Sequence, residues 1–90
     1  MSVRAIIAED ESVLRIEIGE LLADVWPDLD IVAMVEDGVK AVRAIEQHAP
    51  DVLFLDIQMP GMSGLDVARA ASGRCHVVFV TAYDQYAGAA

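Results

Sequence analysis

Short apolar runs alternate with longer amphipathic segments along this chain of 90 residues. The runs are too short for helices and are rich in residues that favour strands. They predict four strands, at residues 3–8, 31–35, 52–55 and 77–80. The run at 52–55 has no polar residue at alternate positions, which is typical of a strand buried on both faces of a sheet.

Apolar residues recur at helical spacing between these runs. The first helix is expected to end near Trp26-Pro27, because proline disfavours helix in the residue before it. We expect Ser12 or Asp10 to cap its first turn. Its apolar stripe is formed by Leu14, Ile18, Leu21, Leu22 and Val25. Three further helices are predicted after the turn at Asp37-Gly38, at residues 65–71 and from residue 83 onward.

Strands that alternate with helices indicate right-handed βαβ units and a parallel sheet. The sequence contains no linker or repeat, so we expect one domain over residues 1–90. The predicted class is α/β, a doubly wound parallel sheet with helices on both faces. The alternation stops after the fourth strand, whereas such a domain normally has another strand and a covering helix.

Composition and charge exclude several classes of function. The net charge of −9 argues against a nucleic-acid surface within these residues. No apolar run approaches the roughly 18 residues of a membrane span, and the first residues lack the pattern of a secretory signal. Cys75 is the single cysteine, which favours a reducing, cytoplasmic setting and argues against a disulfide framework.

Polar side chains follow three of the predicted strands at their carboxyl ends. Glu9 and Asp10 follow the first strand, Asp56 follows the third, and Thr81 follows the fourth. Ligands bind at this edge of open α/β sheets. Taken alone, Asp56 is as well explained as a helix cap or a loop acid. If strands 1 and 3 are neighbours, however, Asp10 and Asp56 come together there.

Clustered carboxylates repel one another unless a proton or a cation neutralises them. Oxygen ligands in small number suit Mg²⁺ better than zinc, which prefers histidine or cysteine. His48 and His76 lie outside the predicted cluster and are interpreted as surface or packing residues. A cation, a carboxylate nucleophile and the Thr81 hydroxyl together favour phosphoryl transfer through an aspartyl phosphate.

The spacing of these residues resembles the receiver domain of bacterial response regulators. The resemblance rests on Glu9-Asp10, on Asp56 with Pro60 four and Gly64 eight residues later, and on Val-Thr-Ala at 80–82. It spans nearly the whole chain and implies a flavodoxin-like fold with strand order 2-1-3-4, followed by a fifth strand and a last helix that these 90 residues lack. Residues 79–87 further resemble receivers that carry a LytTR-type DNA-binding output domain.

The resemblance implies a role for each matching residue. Asp56 would be the phosphoacceptor for a sensor histidine kinase, and Asp10 and Asp56 would bind Mg²⁺ together with the backbone carbonyl of Gln58. Glu9 would contribute through a bound water. The hydroxyl of Thr81, which is also the family's switch residue, and the backbone N–H of Ala82 would contact the phosphoryl oxygens.

The same resemblance implies a lysine and an aromatic residue on strand 5, and neither has a substitute within residues 1–90. We therefore expect Mg²⁺ binding to be better preserved than phosphorylation in this chain. Strand 4 would also be an apolar edge, which predicts a homodimer or a segment-swapped oligomer. Contact with DNA is expected only through an output domain outside these residues.

Three alternatives to a phosphorylated signalling switch remain. The first is a pseudo-receiver that acts as an interaction module without metal or phosphate. The second is a small Mg²⁺-dependent hydrolase with Asp56 as nucleophile. Hydrolases that resemble haloacid dehalogenases need a second acid two residues after the nucleophile, where this sequence has Gln58. Dinucleotide binding is disfavoured because no Gly-x-Gly-x-x-Gly follows strand 1. We expect a switch and not a turnover enzyme.

Overall fold

The structure is a computed structural model that describes residues 2–59 and 61–80. Seven elements alternate along these residues, and the four strands and the third helix agree with their predicted bounds to within about one residue. They are β1 (Arg4–Ala8), α1 (Ser12–Val25), β2 (Asp30–Val35), α2 (Gly38–His48), β3 (Val52–Asp56), α3 (Gly64–Ala71) and β4 (His76–Val80). The fourth helix, predicted from residue 83, lies outside the described residues.

The four strands form one parallel sheet in the order β2-β1-β3-β4. This arrangement confirms the doubly wound α/β fold and the strand order 2-1-3-4. Ala8 pairs with Val35 on one side and with Leu55 on the other, so β1 and β3 end level with each other. The residues that follow Ala8 therefore lie beside Asp56, the last residue of β3.

Successive side chains of the central strands face opposite sides of the sheet and so divide the core into two layers. Ile6, Ala8, Leu53 and Leu55 are completely or almost completely buried beneath α2 and α3. The opposite face of the same strands packs against α1 through Ala5, Ile7, Val52 and Phe54. Burial on both faces explains why these strands have almost unbroken apolar sequences.

The first helix differs from the sequence prediction in two ways. Its N-cap is Glu11, and no side chain caps it, so neither Ser12 nor Asp10 has the expected role. Ser12 is already the first helical residue, and the Asp10 carboxylate lies among other acids instead.

The apolar stripe of α1 is also wider than the surface that it covers. This helix packs mainly on β1, so Ile18 and Leu22 contact the core while Leu21 and Val25 remain 61% and 65% exposed. In the described part of the chain, no helix has the length and apolar character needed to cross a membrane.

Candidate cation and phosphoryl site

Three carboxylates meet where the carboxyl ends of β1 and β3 lie side by side. Glu9 and Asp10 directly follow β1, and Asp56 ends β3. One carboxylate oxygen from each residue lies within 4.8 Å of the other two. The convergence expected from the sequence is therefore present, and it depends on the pairing of β1 with β3.

The segment between β1 and α1 is held by three hydrogen bonds that involve Glu9. The Glu9 N–H donates to the Val35 carbonyl at 3.0 Å and continues the β1–β2 ladder. The Glu11 N–H donates to Glu9 Oε2 at 3.0 Å. Arg15 Nη1, one turn into α1, donates to the Glu9 carbonyl oxygen at 2.7 Å. Backbone and side chain of Glu9 are thus both fixed.

The loop after Asp56 turns sharply and requires glycine at position 64. The Gly64 N–H donates to the Ile57 carbonyl at 2.7 Å. A Cβ atom at Gly64 would collide with the Asp56 carbonyl oxygen and would lie 2.6 Å from Ile57 Cα, closer than van der Waals contact allows. The exposed Gln58 donates its N–H to Asp56 Oδ1 at 3.3 Å. The loop therefore packs directly on the backbone of Asp56.

Burial makes this cluster unfavourable in its fully ionised form. Glu9 is only 2% exposed, and burial, a hydrogen bond with Asp10 and the charge of Asp56 raise its pKa from 4.5 to about 7. Burial also raises the pKa of Asp56 above its usual range, although the Gln58 N–H opposes the shift. A bound cation would remove this penalty, and carboxylate oxygens are the donors that Mg²⁺ prefers. The donor set therefore fits Mg²⁺.

The structure brings together only part of the predicted site. Glu9, Asp10 and Asp56 form the cluster and Gln58 borders it, whereas Thr81, Ala82 and Pro60 lie outside the described residues. The roles assigned to all these residues remain predictions.

The histidines are placed away from the acids. His48 ends α2, and His76 begins β4 at the opposite end of the sheet from Asp56. Burial raises the pKa of the neighbouring Cys75 thiol, which disfavours a reactive thiolate there.

The contact of Arg15 with the Glu9 carbonyl was not predicted from the sequence. The one available signal was its position six residues after Glu9, in the first turn of a helix that follows the acidic pair.

Comparison with known proteins gives one consistent result. The model of the response regulator receiver domain family matches residues 5–90. An uncharacterized response regulatory protein of Vibrio cholerae is 54% identical over 86 residues, which are 92% of this chain and 33% of the relative. The transcriptional regulatory protein BtsR of Escherichia coli is 37% identical over 87 residues, or 94% of this chain and 36% of the relative. The chain thus spans about a third of the length of these relatives.

Solved structures agree with the sequence relatives. The receiver domain of AraT, a response regulator from Geobacillus stearothermophilus, is 35% identical with a TM-score of 0.85, covering 99% of this chain and 71% of that one. The response regulator domain of Thermotoga maritima CheB is 25% identical with a TM-score of 0.82, covering 90% of this chain and 61% of that one.

Proposed function

The chain belongs to the response regulator receiver domain family, and on this basis we propose that it accepts a phosphoryl group on Asp56 from a sensor histidine kinase. The observation that carries the proposal is the convergence of three carboxylates within 4.8 Å at the carboxyl edge of the sheet. Such a cluster is costly without a cation or a proton, and phosphoryl transfer depends on a cation at the reacting oxygens.

In the proposed reaction, a carboxylate oxygen of Asp56 attacks the phosphorus of a phosphohistidine. An O–P bond forms, the N–P bond breaks, and the imidazole that leaves takes up a proton. Asp10, Asp56 and the Gln58 carbonyl would hold Mg²⁺, with Glu9 acting through a water. When bound, Mg²⁺ offsets the charge of the carboxylates and of the transferred group.

The phosphorylated form is proposed to act as a signal. Thr81 would contact the phosphoryl oxygens through its hydroxyl and act as the switch residue, and Ala82 would contact them through its backbone N–H. The product is a modified protein, so the chain is a switch and not a turnover enzyme. Its setting is proposed to be cytoplasmic, where the partner kinase has its phosphohistidine.

The output is proposed to be transcriptional. BtsR, named as a transcriptional regulatory protein, is about three times as long as the segment matched here, so an output domain has room elsewhere in such a protein. Residues 79–87 also resemble receivers with a LytTR-type output. The acidic receiver itself would not contact DNA, because its net charge is −9.

We further propose that the 90-residue chain forms a homodimer or a segment-swapped oligomer. Within the described residues, β4 pairs on one side only, with β3. Its side chains Val78 and Phe79 are 43% and 42% exposed. Exposed apolar edge strands promote pairing with another chain.

The phosphoacceptor assignment is tested by intact mass spectrometry after incubation with acetyl phosphate and Mg²⁺. We expect one phosphoryl adduct on the wild-type chain and on Asp24→Asn, a control on the exposed side of α1. Asp56→Asn should carry none, because an amide is not a nucleophile of comparable strength. A wild-type chain without adduct, or an adduct that persists in Asp56→Asn, would overturn the proposal.

A further inference from the structure

Arg15 connects α1 to the segment that carries two of the three acids. Its backbone N–H donates to the Glu11 carbonyl at 2.9 Å and so opens the hydrogen-bond ladder of the helix. Its guanidinium turns back and donates from Nη1 to the Glu9 carbonyl oxygen at 2.7 Å. A bond from a charged donor is stronger than one between neutral groups. Arg15 therefore ties the helix to the last peptide before Asp10.

The contact restricts Asp10 through the backbone. The Glu9 carbonyl and the Asp10 N–H belong to the same planar peptide group, so fixing one fixes the plane of the other. The Glu9 N–H is already fixed by the Val35 carbonyl at 3.0 Å. With both polar groups of Glu9 bonded, the direction in which the chain enters Asp10 is set.

The charge of Arg15 and its hydrogen bond to Glu9 would change the affinity for a cation in opposite directions. The hydrogen bond and the charge of Lys40 hold the pKa of Glu36, which follows β2, below its usual range, and the charge of Arg15 adds to this shift. A positive charge near the carboxylates opposes the binding of another cation by Coulomb repulsion. A purely electrostatic role thus predicts that loss of Arg15 strengthens cation binding, whereas a positioning role predicts that it weakens binding.

We propose that Arg15 is a positioning residue of the cation site, which holds the Glu9–Asp10 peptide so that the Asp10 carboxylate faces Asp56. The inference rests on the proposed function, since the site is the one assigned there to Mg²⁺. Groups that orient metal ligands without touching the metal commonly change affinity by tenfold or more when they are removed. Arg15 acts in this way through a backbone carbonyl.

The test is calorimetric titration with Mg²⁺ of the wild-type chain, Arg15→Met and the control Arg74→Met. Arg74 precedes β4 at the opposite end of the sheet, so its substitution removes the same charge away from the acids. We expect Mg²⁺ affinity to fall about tenfold in Arg15→Met and to stay at the wild-type value in Arg74→Met. Urea unfolding in EDTA, measured alongside, identifies any loss that follows from global stability alone.

If Arg15→Met does not fold, Arg15→Lys replaces it in the Mg²⁺ titration. It keeps the charge but loses the planar fork, so the positioning role predicts weaker Mg²⁺ binding at unchanged net charge. Affinity that is unchanged or higher in Arg15→Met, or unchanged in Arg15→Lys, would overturn this inference and leave the proposed function intact. A wild-type chain that binds no Mg²⁺ would instead overturn the proposed function, and this inference with it.

Discussion

Glu9 shows most clearly why the fully ionised cluster is costly without a proton or a cation. It is a carboxylate that is 2% exposed, and its pKa is raised to about 7, chiefly by burial. A buried carboxylate is tolerated in a folded protein when a proton or a cation offsets its charge. With a pKa of about 7, the Glu9 carboxyl is about half protonated at pH 7 when no cation is bound, and we expect a bound cation to favour its ionised form.

Without divalent cations, we expect the stability of the chain to depend on pH. Because the pKa of Glu9 is about 7 in the folded chain and near 4.5 unfolded, the folded state binds more protons between these values. Its contribution to stability is full below pH 4.5 and is lost as pH rises through 7, by at most about 3 kcal/mol. Urea unfolding in EDTA from pH 4.5 to 8 should show this decline.

Glu9→Gln is expected to remove most of the decline, because an amide does not titrate. Glu20→Gln, on the exposed side of α1, serves as the matched control and should keep the wild-type slope. The interpretation of Glu9 would be wrong if wild type and Glu9→Gln lost unfolding free energy equally over this range. Added Mg²⁺ should reduce the wild-type decline, since it binds the ionised form.

At the scale of elements, the pairing of β1 with β3 brings the acids together. The loops that follow these two strands hold the acids in place. The β1–α1 segment carries two acids and is tied down by the Val35 carbonyl and by Arg15. The β3–α3 loop packs on Asp56 so closely that position 64 admits no side chain. The sequence spacing predicted where both loops occur, because apolar runs end there. It did not predict the hydrogen bonds within them, which depend on the path of each loop.

Strand β4 exposes Val78 and Phe79, and on this basis we expect the chain to self-associate. Light scattering of the wild-type chain at high micromolar concentration should give a mass above that of one chain. Phe79→Lys should shift the mass toward the monomer, because a charged side chain on an edge strand opposes pairing. Val13→Lys, which places the same charge at a 68% exposed position on α1, should not. A monomeric wild-type chain with cooperative unfolding would contradict this expectation.

At the scale of the whole molecule, the sequence predicted the architecture well for a physical reason. Burial on both faces makes β1 and β3 nearly continuous apolar runs, and parallel strands end at one edge, so Glu9, Asp10 and Asp56 had to lie near one another. The burial of Glu9 and the contact of Arg15 were not predicted, because both depend on α1 beginning at Ser12 and on how that helix packs on β1. The exposure of Leu21 and Val25 on α1 was not predictable for the same reason.

We propose that Glu9, Asp10 and Asp56, at the ends of two strands, form a single cation site. Calorimetric titration with Mg²⁺ at pH 7.5 tests it most directly, on wild type, Asp10→Asn and the exposed control Asp24→Asn. We expect one ion per wild-type chain, unchanged binding in Asp24→Asn, and affinity at least about tenfold lower in Asp10→Asn, where a charged ligand is lost. Equal affinity in wild type and Asp10→Asn, or no binding by the wild type, would contradict the claim.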